Sequence, residues 1–240
     1  MSSGVTPVSD SNEHVAAIRS SVSCWCLVME SDIDLSFLER RYRRRLSLTT
    51  RLALSAYQRC NPELTPCRTV FASRYGEYVR TYGILTDLAA GEPASPAAFS
   101  VSVHNAPGGI VGIATHNPAP STTLAGGSAT VEAGFLEAAM QHAELDGSED
   151  IVFVYVDEPL PSRYGRFVGV SAHAYALCLR LNSEAKHQIR LSWSKTATTT
   201  GGPDGMPDIG PEIISILEAG QGSRSSNDGR LIWDWSVDSK

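Results

Sequence analysis

The chain has 240 residues, a net charge of −6 and a pI near 5.5, so it can bury one full core and is poorly matched to a dedicated nucleic-acid role. Its 42% hydrophobic and 19% charged residues describe a globular composition, and no stretch is long and apolar enough to insert in a membrane. The five cysteines (Cys24, Cys26, Cys60, Cys67, Cys178) show neither CxxC nor zinc spacing, which argues against a metal site and fits packing residues in a reducing cytoplasm.

Residues 1–14 are Ser-, Thr- and Asp-rich, without the basic and apolar regions of a secretory signal, and residues 1–20 are expected to be a disordered tail. Ser21 to Met29 reads as a buried strand and Asp34 to Tyr42 as a short helix capped by Ser31 or Asp34. The RRYRRR run places Arg40, Arg41, Arg43, Arg44 and Arg45 together. Such a cluster is either a solvated face or a docking patch for an acidic partner. Ser47 to Cys60 carries apolar residues at helical spacing behind a Ser47 or Thr49 cap. Arg68 to Ala72 is a short strand, and Ser73–Glu77 turns into a helix ending near Ala90.

Ser95 to Ala139 contains no charge before Glu132, so it is expected to be buried or to face another protein. Within it, Phe99 to His104 has no clear period, and Pro107-Gly108-Gly109 opens a short helix over Ile110–Thr115. An extended segment then leads through a tight Gly126-Gly127-Ser128 turn into a helix from Ala129 to the region of His142–Leu145. Ile151 to Val156 is the clearest central strand, followed by a loop over 157–166. Ser171 to Leu181 and residues 187–195 alternate as two further strands. Residues 196–207 have linker composition, Ile209 to Leu217 is a helix, 218–229 is again Gly/Ser-rich, and Leu231 to Ser236 is a final strand. The expected organisation is an α/β domain over 21–195, completed by 196–240 as a flexible linker, short helix and last strand. Ser73–Glu77, the 126–128 turn and the 157–166 loop should then meet at the carboxyl ends of the strands.

Ser128 is the sharpest chemical candidate, because it precedes a helix whose N–H groups can face an oxyanion. Thr130 stands where the second glycine of a G-x-S-x-G elbow belongs, and the simpler role for Ser128 is a helix cap. The six histidines show no metal spacing. His104-Asn105 is a candidate paired polar site, against the commoner satisfied core histidine. Neither glycine pair matches a phosphate loop, so no cofactor is expected. Asp157-Glu158 is either a metal-binding pair or a solvated one.

The order Asn105, Gly109, Pro120-Ser121, Ser128, Ala138-Ala139 resembles the N-terminal half of a β-ketoacyl synthase, of the thiolase-like layered αβα fold. SLTTRLALSAY, RTVFASRYGE and VGVSAHAYALCLRL extend the resemblance over most of residues 45–181. Two departures matter. Ser128 stands where a synthase carries its nucleophilic cysteine, and the C-terminal half that supplies two catalytic histidines is largely missing. ASRYGE, SPAAFSVSVHNAPGG and the cysteine-free elbow resemble short chain-length-factor-like proteins of aryl polyene-type biosynthesis. The resemblance implies a non-catalytic partner that forms a heterodimer with a full-length β-ketoacyl synthase and meets acyl carrier protein transiently. It places Ser95, Pro96, Ala97, Ala98, Phe99, His104, Asn105, Gly108 and Gly109 at the interface and acyl tunnel, and gives the Arg40–Arg45 cluster to the acidic carrier. Ala97 and Ala98 stand where synthases often place a bulky gating side chain. The alternative is a serine-dependent acyltransferase or thioesterase using Ser128 with His104 or His173.

Overall fold

A computed structural model describes residues 16–164, 173–196 and 209–239. The elements run β1 (Ala16–Met29), α1 (Arg40–Arg43), α2 (Leu48–Cys60), β2 (Arg68–Ala72), α3 (Tyr78–Ala89), α4 (Pro96–Phe99), α5 (Ala106–Ala114), β3 (Ser121–Leu124), α6 (Thr130–Glu144), β4 (Ile151–Asp157), β5 (Tyr175–Leu181), β6 (His187–Lys195), α7 (Ile209–Ala219), β7 (Gln221–Asn227) and β8 (Leu231–Ser239). All eight strands form one mixed sheet in the order β3-β2-β4-β5-β1-β6-β8-β7. β2 pairs in parallel with both β3 and β4, and every other pairing is antiparallel.

The central strands are buried on both faces because their side chains alternate into two separate cores. From β4, Ile151 and Phe153 join Phe135 and Ala138 of α6, whereas Val152, Val154 and Val156 meet Leu52, Ala53 and Tyr57 of α2. Each such side chain stabilises the fold by roughly 1.5–3 kcal/mol relative to exposure. α7 extends the first layer over β7 and β8, where Ile213 and Leu217 pack with Trp235. α6 lies very close to the sheet at Gly134, where an added Cβ would come 2.5 Å from Phe153 and 2.7 Å from Ala72.

Several expectations need correction. The tail boundary at residue 20 falls inside β1, because Ala16–Ser20 pair with β6; residues 1–15 lie outside the described residues. No continuous helix covers 34–42. Asp34 Oδ1 instead accepts the backbone N–H of Ser36 at 2.8 Å, and this local turn competes with helix until Arg40. The strand after β4 begins at Tyr175 rather than Ser171; residues 171–172 lie outside the described residues. The linker at 196–207 also lies outside it, apart from Thr196. Residues 221–227, expected as coil, form edge strand β7. QGSRSSN has no hydrophobic period because β7 lies at the sheet edge, largely exposed, and Asp228 and Gly229 (φ 86°) turn the chain into β8.

Candidate functional site

β2, β3 and β4 run parallel, so their carboxyl ends gather the 73–77 turn, the 126–128 turn and the segment after Asp157 along one rim. Asp157 is the hub of this rim and is 3% exposed. Its Oδ1 accepts from Ser73 Oγ at 2.7 Å and Tyr75 N at 3.2 Å, and its Oδ2 from Arg74 N and the Tyr155 hydroxyl, both at 2.9 Å. Burial pushes the Asp157 carboxyl up, and these donors oppose the shift. The carboxylate is therefore neither solvated nor a metal ligand. It closes the turn, and Ser73 Oγ in turn accepts Gly76 N at 2.7 Å.

Beside it, Glu77 is 2% exposed and accepts Ser47 Oγ at 2.5 Å and Thr50 Oγ1 at 2.9 Å, while its other oxygen pairs with Arg80 at 3.1 Å. Ser47 also caps α2 by accepting Thr50 N. Glu158 takes Thr49 Oγ1 at 2.9 Å, and burial raises its pKa. The threonine pair thus fastens the start of α2 to the rim. The sequence reading missed this set because hydroxyls spaced one apart on a helix carry no motif of their own.

His104 donates from Nε2 to the carbonyl of Ser73 at 2.7 Å, and its ring lies against Gly76, which needs its positive φ of 56°. It is a satisfied structural histidine. Ser128 is half-buried, and its hydroxyl has no hydrogen-bond partner among the described residues. It does not cap α6 either. No side chain caps α6; Thr130 Oγ1 instead braces the turn before it, accepting Gly126 N at 3.0 Å and donating to Gly127 O at 2.7 Å. A hydroxyl with no base to take its proton remains a weak nucleophile. The structure joins neither His104 nor His173 to it.

The uncharged run divides. Ser95 N-caps α4 through Ala98 N. Pro96, Ala97 and Asn105 are exposed, Ala98 is half-buried and Phe99 is 64% exposed. Gly109 is open to solvent, but Gly108 lies inward, where a Cβ would meet Phe71 at 2.8 Å. Leu85 and Leu88 of α3, Val103 between α4 and α5, and Ile113 of α5 are also at least half-exposed. Thr81 Oγ1 ties α3 to the Ser102 carbonyl. β3, under α5, is the edge strand, hydrogen-bonded on one side only among the described residues.

A groove of about 1150 Å³ joins two groups of candidates that lie far apart in sequence. Leu38, Tyr42, Arg44, Arg45 and Leu46 line one side, and Ala97, Ala98, Val101, Ile110 and Ile113 the other. Within the arginine cluster, Arg43 is committed to the carbonyls of Leu38 at 2.7 Å and Ser36 at 2.9 Å, and Arg41 pairs with Glu39 at 2.8 Å. Arg40, Arg44 and Arg45 remain exposed. No cluster of His, Cys, Asp and Glu among the described residues is arranged to hold a metal ion, and no described helix is long and apolar enough to cross a membrane.

Comparison with solved structures finds this architecture elsewhere. The chain is similar to one from a ketosynthase (ApeO) in complex with its chain length factor (ApeC) from Xenorhabdus doucetiae, with 22% identity, 91% of this chain and 99% of that chain covered, and a TM-score of 0.72. It is also similar to the ishigamide ketosynthase/chain length factor, at 12% identity, 84% and 72% coverage, and a TM-score of 0.57. At these identities the likeness establishes the thiolase-like fold of the N-terminal half. No curated protein matches the chain. The model of the family described as beta-ketoacyl synthase, N-terminal domain, matches residues 21–236, and with strand order, rim and elbow all in place the chain belongs to that family.

Proposed function

We propose that this protein is a non-catalytic, chain-length-factor-like partner of a full-length β-ketoacyl synthase, stabilising it and shaping its acyl tunnel in fatty-acid or polyketide biosynthesis of the aryl polyene type. The observation that carries the reading is the number of large apolar side chains left exposed between α3 and α5, namely Leu85, Leu88, Phe99, Val103 and Ile113, while β3, which packs against α5, is an edge strand among the described residues. Large exposed apolar side chains and an open sheet edge favour association. The elbow supports the same reading, since Ser128 has neither the sulfur nor a base to work with. The two similar structures are of ketosynthases with chain length factors, and the Xenorhabdus chain aligns over nearly its whole length. The exposed arginines have the sign to meet an acidic acyl carrier protein transiently. Ala97 and Ala98 line the groove without filling it, leaving room for a growing chain.

The test is co-expression with a β-ketoacyl synthase of the same genome, followed by size-exclusion chromatography and product analysis. We expect co-elution, unchanged product with Ser128→Ala, and shorter product with Ala98→Phe. Separate elution from the synthases tested, or loss of product in Ser128→Ala with the complex intact, would count against the partner role. Unchanged product length in Ala98→Phe would remove the tunnel role alone.

A further inference from the structure

Three sulfurs meet where the last turn of α2 crosses β1 and β5, with Cys24 beside them. Cys26 and Cys178 are direct partners in the β1–β5 register, and Cys60, the final residue of α2, lies over them. The Cys60 thiol points at Cys26 Sγ at 3.8 Å and at the Cys178 carbonyl at 3.8 Å. Cys26 itself points at the Ala56 carbonyl at 3.6 Å. The three differ in access: Cys26 is half-buried, whereas Cys60 and Cys178 are 1% and 0% exposed. Cys24, also half-buried, adjoins Cys60 too, but it is at Cys26 Sγ that the Cys60 thiol is directed.

The electrostatics follow the same division. The thiols of Cys178 and then Cys60 donate toward Cys26 and lower its pKa, with the Arg59 charge assisting. Cys60 is raised by its neighbouring thiols, Cys178 first, and Cys178 is raised by burial. An accessible thiolate backed by a protonated thiol is the arrangement for attack followed by resolution.

We propose that Cys26 is a redox modification site that reacts with small disulfides of the glutathione class and is resolved by Cys60 into a β1–α2 disulfide. In the first step Cys26 thiolate attacks one sulfur of the small disulfide, whose S–S bond breaks and releases one thiolate. In the second step Cys60 gives up its proton and attacks Cys26 Sγ, releasing the second thiol. Two protein thiols are oxidised to one disulfide, and one small disulfide is reduced to two thiols. The sulfurs must close from 3.8 Å to about 2.0 Å for the bridge to form. The bridge would pin the end of α2 whose opposite end holds Glu77 and Glu158 at the rim. This inference is independent of the synthase-partner reading.

The test uses the full chain, alone or in the complex with which it purifies, equilibrated with oxidised glutathione, acid-quenched, alkylated after denaturation and mapped by mass without reduction. We expect a peptide pair linked through Cys26 and Cys60, with Cys67 alkylated. Cys60→Ser should retain glutathione on Cys26, and Cys26→Ser should form neither the adduct nor the bridge. Circular dichroism confirms that each variant is folded, and the wild-type map decides the question if one is not. Full alkylation of all five cysteines in the oxidised wild type, or a Cys24–Cys60 or Cys26–Cys178 bridge in place of the expected one, overturns the proposal.

Discussion

Asp157 and Gly76 together explain why the rim is rigid. The carboxylate accepts four hydrogen bonds, three of them from residues 73–75, and so holds the turn that presents Gly76 at φ 56° against the His104 ring. A Cβ at position 76 would lie 2.8 Å from His104 Cδ2 in a conformation that L-residues rarely adopt. Gly76→Ala should therefore cost about 1–3 kcal/mol, read as a lower urea midpoint at unchanged m-value. The residues of this turn were visible in the sequence as SRYGE, but the buried acceptor was not. Asp157 ends a hydrophobic strand, where a carboxylate more often faces solvent. Only its placement opposite two backbone N–H groups and two hydroxyls makes burial tolerable.

At the scale of elements, α6 shows two competing effects at one position. Gly134→Ala would gain about 1 kcal/mol of helix propensity. The new methyl would meet Phe153 at 2.5 Å and Ala72 at 2.7 Å, and overpacking of this kind costs about 1–3 kcal/mol. We expect the clash to win and the thermal midpoint to fall. The same helix carries His142, whose Nδ1 faces Ser20 Oγ at 3.1 Å while Nε2 has no partner. Burial lowers its pKa, with Asp150 opposing. The folded state thus takes up a proton less readily than the unfolded chain. Its contribution to stability is intact above the ordinary imidazole value near 6.5 and is lost as the pH falls from there through the lower folded value. Between pH 7.5 and 5 the denaturant midpoint of the wild type should fall relative to that of His142→Gln, a difference in which contributions shared by both proteins cancel. The buried carboxylates Glu132, Asp157 and Glu158 act with the opposite sign, since their pKa values are raised, and their penalty grows as the pH rises above about 4.

For the whole molecule, the notable asymmetry is between covered and uncovered faces. α2 and α6 bury the centre of the sheet from both sides, whereas the segment from α3 to α5 leaves several large apolar side chains in solvent. Ile113, 78% exposed, contributes little to the fold of the isolated chain. Ile113→Asp should therefore shift the melting temperature within the range of an ordinary surface change, about 0.5 kcal/mol. In the proposed complex it should weaken association roughly tenfold or more, measured by titration calorimetry, because a charge would be buried at an apolar contact.

What the sequence determined by itself is the identity and order of most elements. β2 and α2 were legible almost to the residue, because a β-branched run and a capped helical period are local properties. The resemblance added the fold and the degenerate elbow at Ser128. Tertiary structure decided three other things. It made β7 a strand, through backbone pairing with β8 that a polar sequence does not announce. It left α6 without a side-chain cap and braced the 126–128 turn through Thr130, because hydrogen-bond direction depends on the turn's dihedrals. It also brought Arg44 and Arg45 to one groove with Ala97 and Ala98, a proximity between residues some fifty positions apart that the packing of α5 against α2 helps to create.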